Sequence, residues 1–384
     1  MNGAILHVDM TTGTHRMIDD PELFGEFLGG TAVATELLFR HGDPKGDPLA
    51  PESPVIFAIG PFSSLFPVAT KTVSMFKSPL SGELGESHAG GRMAMSLHEA
   101  GIKALVITGK ADTLSYLVIE NDSAELKSAS TFRGQSAAAT ERILREAEGK
   151  SGRKVSILRI GPAGERLSPM ACATVDGSRH FGRLGLGAVL GSKNLKAIVV
   201  RGTGSVSVGD AKAFLDLLYK MHTDYVLTED NLWAHEEGTP VLVDVVNGGG
   251  ALPTRNWSAG VFEGAENINS EAFQKIRIKK RACYQCSIGC RNFHGTTFAD
   301  KEVRGEGPEY ETIALCGANC GVDDIDGLMK FNELCDEYGL DTISAGSTTA
   351  LAMDMTEKGI HDFGVHFGRG EEYVKVPELI ATRQ

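Results

Sequence analysis

The sequence predicts an α+β protein, with an N-terminal mixed, largely antiparallel β-sheet domain over residues 1–205 and a mainly α-helical domain over 206–384. Three observations predict it. Short apolar or alternating runs crowd the first half, and most connections between them are too short for the helical crossovers of a doubly wound sheet. After Gly202-Thr-Gly-Ser205 the texture changes to helical periodicity. Glycine is over-used, with 46 of 384 residues. It follows no collagen-like period, so it serves turns and close backbone approaches.

Residues 4–9 and 14–18 flank Thr11-Thr12-Gly13 and read as a hairpin. Further strands are expected at 55–59, 72–76, 104–108, 116–120, 155–160 and 197–201. Helical patterns over 22–40, 93–100 and 137–148 interrupt them, and in the last Ala138, Ile143, Leu144 and Ala147 fall near helical spacing. In the second half, residues 211–222 carry Phe214, Leu215, Leu217, Leu218 and Met221 on one helical face. Residues 324–338 and 344–358 also read as helices, the second opened by Ser344 as N-cap and closed by Gly359. Long polar loops are expected at 228–268 and 291–312.

The composition, 42% hydrophobic and 23% charged, is that of an ordinary globular chain long enough for two or three domains. Its 38 basic against 50 acidic residues, net −12, disfavour a nucleic-acid binder, which needs a basic face. No apolar run approaches the roughly 20 residues of a membrane helix. The chain opens on an apolar run at 3–8 that reads as a strand and leaves no room for a signal peptide. A cytoplasmic protein is expected.

The cysteines carry the strongest local signal. Cys172 stands alone, whereas Cys283, Cys286, Cys290, Cys316, Cys320 and Cys335 cluster. In Cys283-Tyr-Gln-Cys286-Ser-Ile-Gly-Cys290 three thiolates can converge, and soft sulfur selects zinc or iron–sulfur clusters. Lys279, Lys280, Arg281 and Arg291 flank the loop and favour thiolates. The spacing favours iron–sulfur over a zinc loop, for which His294 is the further candidate ligand. A second signal is the glycine run from Gly182 to Gly191, with Arg179, Arg183, Lys193 and Lys196 around it. It reads as a phosphate-binding loop. It is no dinucleotide fingerprint, because Gly185-x-Gly187-x3-Gly191 has one residue too many and follows a polar stretch.

Weaker signals follow. Asp336-Glu-Tyr-Gly339-Leu340-Asp341 ends a helix at a glycine C-cap and then presents a carboxylate. Glu306-Gly-Pro-Glu309-Tyr-Glu311 puts two carboxylates on one strand-like face at i, i+2, which alone reads as a solvated acidic loop. Pro253-Thr-Arg-Asn-Trp257 is a polar–aromatic loop without a mechanism of its own.

Together these pieces resemble the tungsten-dependent aldehyde:ferredoxin oxidoreductases. The motifs that carry the resemblance are Lys77-Ser-Pro-Leu80, Ala89-Gly90-Gly91, Gly182-Arg183-Leu184-Gly185 through Gly191-Ser-Lys193-Asn-Leu-Lys196, and Pro253 to Trp257. The three-cysteine loop, Pro308-Glu-Tyr-Glu311 and Asp336-x2-Gly-Leu-Asp341 complete the set. The resemblance implies a sheet-rich base domain under two dithiolene pterins that carry one tungsten, with molybdenum as the alternative metal. Arg183, Leu184 and Gly185, with Gly90 and Gly91, are implied to hold a pterin phosphate, and magnesium is a further candidate cofactor. Lys71 stands where the family often has arginine. Asp336, Gly339, Leu340 and Asp341 are implied to bind a pterin's amine-bearing rings. Cys283, Cys286 and Cys290 are implied to ligate a [4Fe-4S] cluster.

Glu311 is implied to transfer protons while an aldehyde is oxidised to a carboxylic acid and electrons pass to ferredoxin or another low-potential carrier. A family branch that reduces aromatic thioesters is the alternative, and a zinc-loop module without redox activity is the non-enzyme rival. The family's fourth cluster cysteine, second Asp-x2-Gly-Leu motif and active-site histidine fall beyond residue 384. The helical domain is therefore expected to be incomplete and the isolated chain inactive, with a C-terminal partner polypeptide as a candidate. Lys330-Phe-Asn-Glu333 replaces a Glu-x2-His metal pair, so a subunit-bridging iron is not expected.

Overall fold

Contacts divide the chain into two units, one of residues 4–223 with Cys283–Cys286 and one of 224–282 with 287–383. The structure, a computed structural model, describes residues 4–149, 155–206 and 208–383. Gly3, at the head of the apolar opening, and Gln384 lie outside them.

The first unit holds β1 (Ala4–Asp9), β2 (Thr14–Asp19), β3 (Val55–Ile59), β4 (Thr72–Lys77), β5 (Leu84–Ala89), β6 (Ala104–Thr108), β7 (Ser115–Glu120), β8 (Ser123–Ser128), β9 (Ser156–Ile160), β10 (Ala173–Val175), β11 (Arg179–Phe181) and β12 (Leu195–Arg201). They form two six-stranded sheets, ordered β2-β1-β6-β3-β4-β5 and β11-β10-β9-β12-β7-β8. Only β1–β6 and β7–β12 run parallel among the described pairings. The mixed, largely antiparallel expectation holds. The sequence does not announce β5 and β8 because Leu84-Gly-Glu-Ser-His-Ala89 and Ser123-Ala-Glu-Leu-Lys-Ser128 contain no β-branched residue.

Alternation along the strands builds the layers. Leu6, Val8, Val55, Phe57, Leu105 and Ile107 of one sheet share a core with Leu117, Ile119, Leu158, Ile160, Ile198 and Val200 of the other. The helices Met93–Glu99 and Leu186–Ser192 feed Leu97, Val189 and Leu190 into the same core. The neighbouring residues point outward. Ile56, Ala58, Met75 and Val106 pack under Val33 and Leu37 of helix Gly30–His41, and Tyr116, Ile157 and Val199 under Leu144 of helix Ala137–Glu148. The single helix expected over 22–40 is two, Pro21–Phe27 and Gly30–His41. Leu28 at φ 62 and Gly29 at φ 148 break it where a Cβ on Gly29 would come within 2.8 Å of Ile59 O.

In the second unit, β13 (Arg277–Arg281), β14 (Arg291–Phe298) and β15 (Lys301–Glu306) form an antiparallel sheet beside the helix Ile325–Tyr338, and the helix Thr342–Glu357 follows in the chain. The loop expected at 291–312 is thus mostly a hairpin, with Ala299 and Asp300 at positive φ in its turn. The polar stretch 228–268 contains the short helices Leu232–Glu236 and Leu242–Gly248. Ser344 does not open the last long helix. Asp341 does, accepting from the Ile343 and Ser344 N–H groups at 3.0 and 3.2 Å.

Candidate cofactor and metal site

The β4–β5 hairpin positions the first candidates. Thr72 pairs with Ala89, so Lys71 and Gly90 leave the ladder side by side, Lys71 exposed and Gly90 buried. Gly91 turns at φ 99, and the Arg92 N–H then donates to Asp176 Oδ2 at 2.8 Å. A helix, Met93–Glu99, starts at once.

The cysteine loop meets this turn. A Cβ on Gly90 would fall 2.6 Å from Cys283 Sγ, so only glycine leaves room for the sulfur. The Tyr284 N–H donates to Gly91 O at 3.1 Å, and the Arg92 guanidinium lies 4.4 Å from the Tyr284 ring centre. Asp176 fixes the turn from the other side. It also accepts from Ser156 Oγ at 2.8 Å and the Ile157 N–H at 3.1 Å, and burial raises its pKa against these bonds. Neither Arg92 nor Asp176 stands out in the sequence, since only the fold brings them beside Cys283.

The glycine run behaves differently. Lys193 and Lys196 are fully buried. Lys193 donates to Pro51 O at 2.7 Å, and Lys196 to Gln135 O at 2.9 Å and Glu165 Oε1 at 2.5 Å. Burial lowers both lysine pKa values, Lys193 to about 8. Cβ atoms on Gly187 and Gly191 would collide with Cys172 O and Gly164 O. These glycines bring helix Leu186–Ser192 against Pro162–Glu165, and the two lysines tie strands and loops inside the fold. Two of the four expected phosphate-binding cations are therefore internal struts. Arg183 stays exposed. Leu184 and Gly185 turn at φ 72 and 84, and Ser78 Oγ donates to Leu184 O at 2.8 Å. That contact sets them at the Ser78 end of the β4–β5 hairpin, whereas Lys71, Gly90 and Gly91 sit at the other.

In the second unit Gly339 is the expected C-cap, at φ 71, with the Leu340 N–H donating to Cys335 O at 2.9 Å. Asp336 is half-buried near the end of the preceding helix. Asp341 is buried, and its carboxylate takes the Ser344 hydroxyl at 2.5 Å besides the helix N–H groups. Glu306, read as part of a solvated loop, is buried and ion-paired with Arg291. Glu309 and Glu311 share no strand face, because Glu309 caps the turn that starts at Tyr310. Glu309 accepts from Thr239 Oγ1 at 2.5 Å, and Glu311 is exposed.

A π-helical turn, Ile313–Gly317, follows the short turn Tyr310–Thr312 that carries Glu311. The loop after Pro253 supports the next residues. Arg255, Asn256 and Trp257 all have positive φ, and their N–H groups donate to Ala318 O, Asn319 O and Asn319 Oδ1 at 3.1, 2.9 and 3.0 Å. Cys316 and Cys320 are buried free thiols in this segment, and Cys335 is buried on its helix. Burial pushes the Cys320 thiol well up. His294, the candidate zinc ligand, is a core histidine. Its Nδ1 bonds Gly307 O, its ring packs on Phe273 and burial lowers its pKa.

Cys283, Cys286 and Cys290 are by contrast partly exposed. Among the described residues no three His, Cys, Asp or Glu side chains already converge as an ion site. The donor set still fits a metal–sulfur group: three thiols in eight residues, with cationic Arg92 stacked on the loop and Gly90 cleared for one sulfur. No helix among the described residues is long and apolar enough to cross a membrane.

Comparison with known proteins gives a consistent answer. Residues 5–202 match the family described as "Aldehyde ferredoxin oxidoreductase, N-terminal domain", and residues 214–384 match its "domains 2 & 3". The chain is 37% identical over 364 residues to the tungsten-containing aldehyde ferredoxin oxidoreductase of Pyrococcus furiosus and 39% identical over 365 to that of Pyrococcus abyssi. In both cases 93% of this chain aligns with 59% of the relative. It is 27% identical to the WOR-like subunit of a Pyrococcus furiosus aliphatic sulfonate oxidoreductase, covering 64% of it. A solved structure, the active site complex BamBC of benzoyl coenzyme A reductase with 1,5-dienoyl-CoA, superposes with a TM-score of 0.83 at 25% identity, over all of this chain and 61% of that one. The chain belongs to the aldehyde ferredoxin oxidoreductase family.

Proposed function

We propose that the chain forms the pterin- and cluster-holding part of a tungsten oxidoreductase that converts an aldehyde and water to a carboxylic acid, two protons and two electrons. The tungsten-containing relatives support the metal and the substrate class. One structural observation carries the reading for this chain: the cysteine loop seats Cys283 on Gly90, beside Lys71, at the end of the β4–β5 hairpin. The bound pterin, tungsten and [4Fe-4S] cluster would supply the redox chemistry. In the proposed division, residues 1–205 form the base under the cofactor, and 206–384 carry Glu311 and the Asp336–Asp341 joint.

The residues have separate tasks. Arg183 with Leu184 and Gly185 offer charge and backbone groups to a pterin phosphate, and Lys71, at the opposite end of the β4–β5 hairpin, offers charge to a separate anionic part of the cofactor, with magnesium a further candidate occupant. Asp336, Gly339, Leu340 and Asp341 present carboxylate and backbone acceptors to amine-bearing rings. Asp341 does so while its oxygens also hold the helix N-terminus. Cys283, Cys286 and Cys290 would hold the cluster, whose chemistry would be single-electron transfer to ferredoxin or a similar low-potential carrier in the cytoplasm. Exposed Glu311, at the start of its helical turn, takes and releases protons.

The benzoyl coenzyme A reductase likeness supports a second reading, reduction of an aromatic thioester within a larger assembly. The chain spans 59–64% of the sequence relatives named above.

Anaerobic purification followed by iron, zinc, tungsten and pterin analysis tests the proposal. Iron with tungsten supports it, and zinc alone leaves the non-redox zinc loop. Dye-linked turnover of aldehydes against aromatic thioesters then separates the two enzyme readings. Glu311→Gln should lower turnover roughly 10²–10⁴-fold with metal content retained.

A further inference from the structure

We propose that Arg92 is the residue that positions the cysteine loop and raises the reduction potential of the cluster held there. The inference rests on the cluster reading of that loop. Three observations meet at this side chain. Its backbone is fixed, because Gly91 turns at φ 99 and Asp176 Oδ2 takes the Arg92 N–H at 2.8 Å. Its guanidinium is fixed as well, since Nη2 reaches both carboxylate oxygens of Glu99 at 2.8 and 2.9 Å, with the two side chains 16% and 10% exposed. The plane so held lies over Tyr284, 4.4 Å from its ring centre, in the residue between Cys283 and the rest of the motif.

The fourth donor direction is the telling one. Arg92 Nε is buried and has no hydrogen-bond partner among the described atoms. A buried orphan N–H costs about 1–3 kcal/mol. An arginine drawn in only to pair with Glu99 would not need that sacrifice. An anionic sulfur-ligand set on the same turn, where Gly90 is cleared for Cys283 Sγ, supplies the kind of acceptor this donor lacks.

Two consequences follow. The clamp restrains the loop with or without metal, because the stack on Tyr284 and the Tyr284 N–H bond to Gly91 O are protein contacts. A fixed cation near the cluster also favours its reduced, more negative state, so the potential rises. Arg92 is thus a positioning residue that acts through the cysteine loop. Glu99 aims it and partly offsets its charge, so the orientation matters as much as the charge.

The test uses the anaerobically purified protein, its Arg92→Met and Arg92→Lys variants, and two readouts. The first is the midpoint potential followed by the reduced cluster's electron paramagnetic resonance signal. Arg92→Met should lower it by at least 59 mV, a tenfold change in the one-electron equilibrium, while Arg92→Lys recovers most of the shift. The second is alkylation of Cys283 by iodoacetamide in metal-free protein. It should quicken about tenfold in Arg92→Met and less in Arg92→Lys, which keeps the ion pair but not the flat stack. Should Arg92→Met fail to fold, Tyr284→Leu loosens the clamp from the other side and must accelerate the same alkylation. An unchanged potential at full iron content, or an unchanged alkylation rate, overturns the role of Arg92. Wild-type protein that takes up zinc and no iron overturns the cluster reading instead.

Discussion

The turn at Gly90–Arg92 and the run from Gly185 to Lys196 look alike as sequence, each pairing glycines with cations. In the fold they are opposites. At 185–196 the glycines let one helix touch another, and the lysines end on carbonyls and a carboxylate in the interior. At 90–92 the glycine makes room for a cysteine from nearly 200 residues away in the chain, and the arginine covers the loop that brings it. Glycine and a cation together mean close approach. What is approached, backbone or ligand, depends on burial and on partners that arrive from elsewhere.

Substitutions can break this contrast, and the largest effect should come from the interior pair. Lys196 and Glu165 have side chains 0% and 7% exposed. Lys196→Met strands a buried carboxylate and should cost about 3–5 kcal/mol in denaturant unfolding. A phosphate-binding Lys196 would instead leave stability intact and weaken anion binding.

The next effect is a pH dependence at the other region. His98, on the helix after Arg92, is 5% exposed, and burial, with the Lys103 charge, lowers its pKa to about 4. Above pH 6.5 both folded and unfolded forms are neutral, and nothing changes. Below it the unfolded chain takes up a proton that the folded chain refuses until about pH 4. Stability should therefore fall by up to about 1.4 kcal/mol per pH unit across that window. The pH series of His98→Gln minus wild type isolates this contribution, and parallel curves would refute it.

Gly191→Ala comes third. Its new Cβ collides with Gly164 O, so about 1–3 kcal/mol should be lost. Gly182→Ala meets nothing within 4 Å and should stay within about 0.5 kcal/mol of wild type. Equal losses at both positions would erase the distinction between packing glycines and open ones.

The smallest effect tests a residue that serves both purposes. Asp341→Ala should cost about 1 kcal/mol as a lost N-cap, while Asp341→Asn caps almost as well. If Asp341→Asn nevertheless loses bound pterin, the carboxylate is needed for the ligand as well as for the helix. Retained pterin in that variant would leave it a cap alone.

Much of the fold is legible without coordinates. The apolar runs at 55–59, 104–108 and 197–201 become strands because Val, Ile and Phe there have no other way to leave water. The cysteine loop and the Asp336–Asp341 helix joint are legible because their chemistry is local. Gly339 needs its positive φ whatever surrounds it, and three thiols within eight residues can serve one metal. Less visible are β5 and β8, whose residues have weak strand propensity and pair because their neighbours offer open edges. The internal fate of Lys193 and Lys196, the burial of Glu306 and the core role of His294 are equally hidden. Tertiary structure decides these, because the free energy of a charge or an imidazole depends on which carbonyl, carboxylate or ring the fold sets beside it. The same holds for Arg92. Its residue type is visible in the chain, but its task exists only once Asp176, Glu99 and Tyr284 are assembled around it.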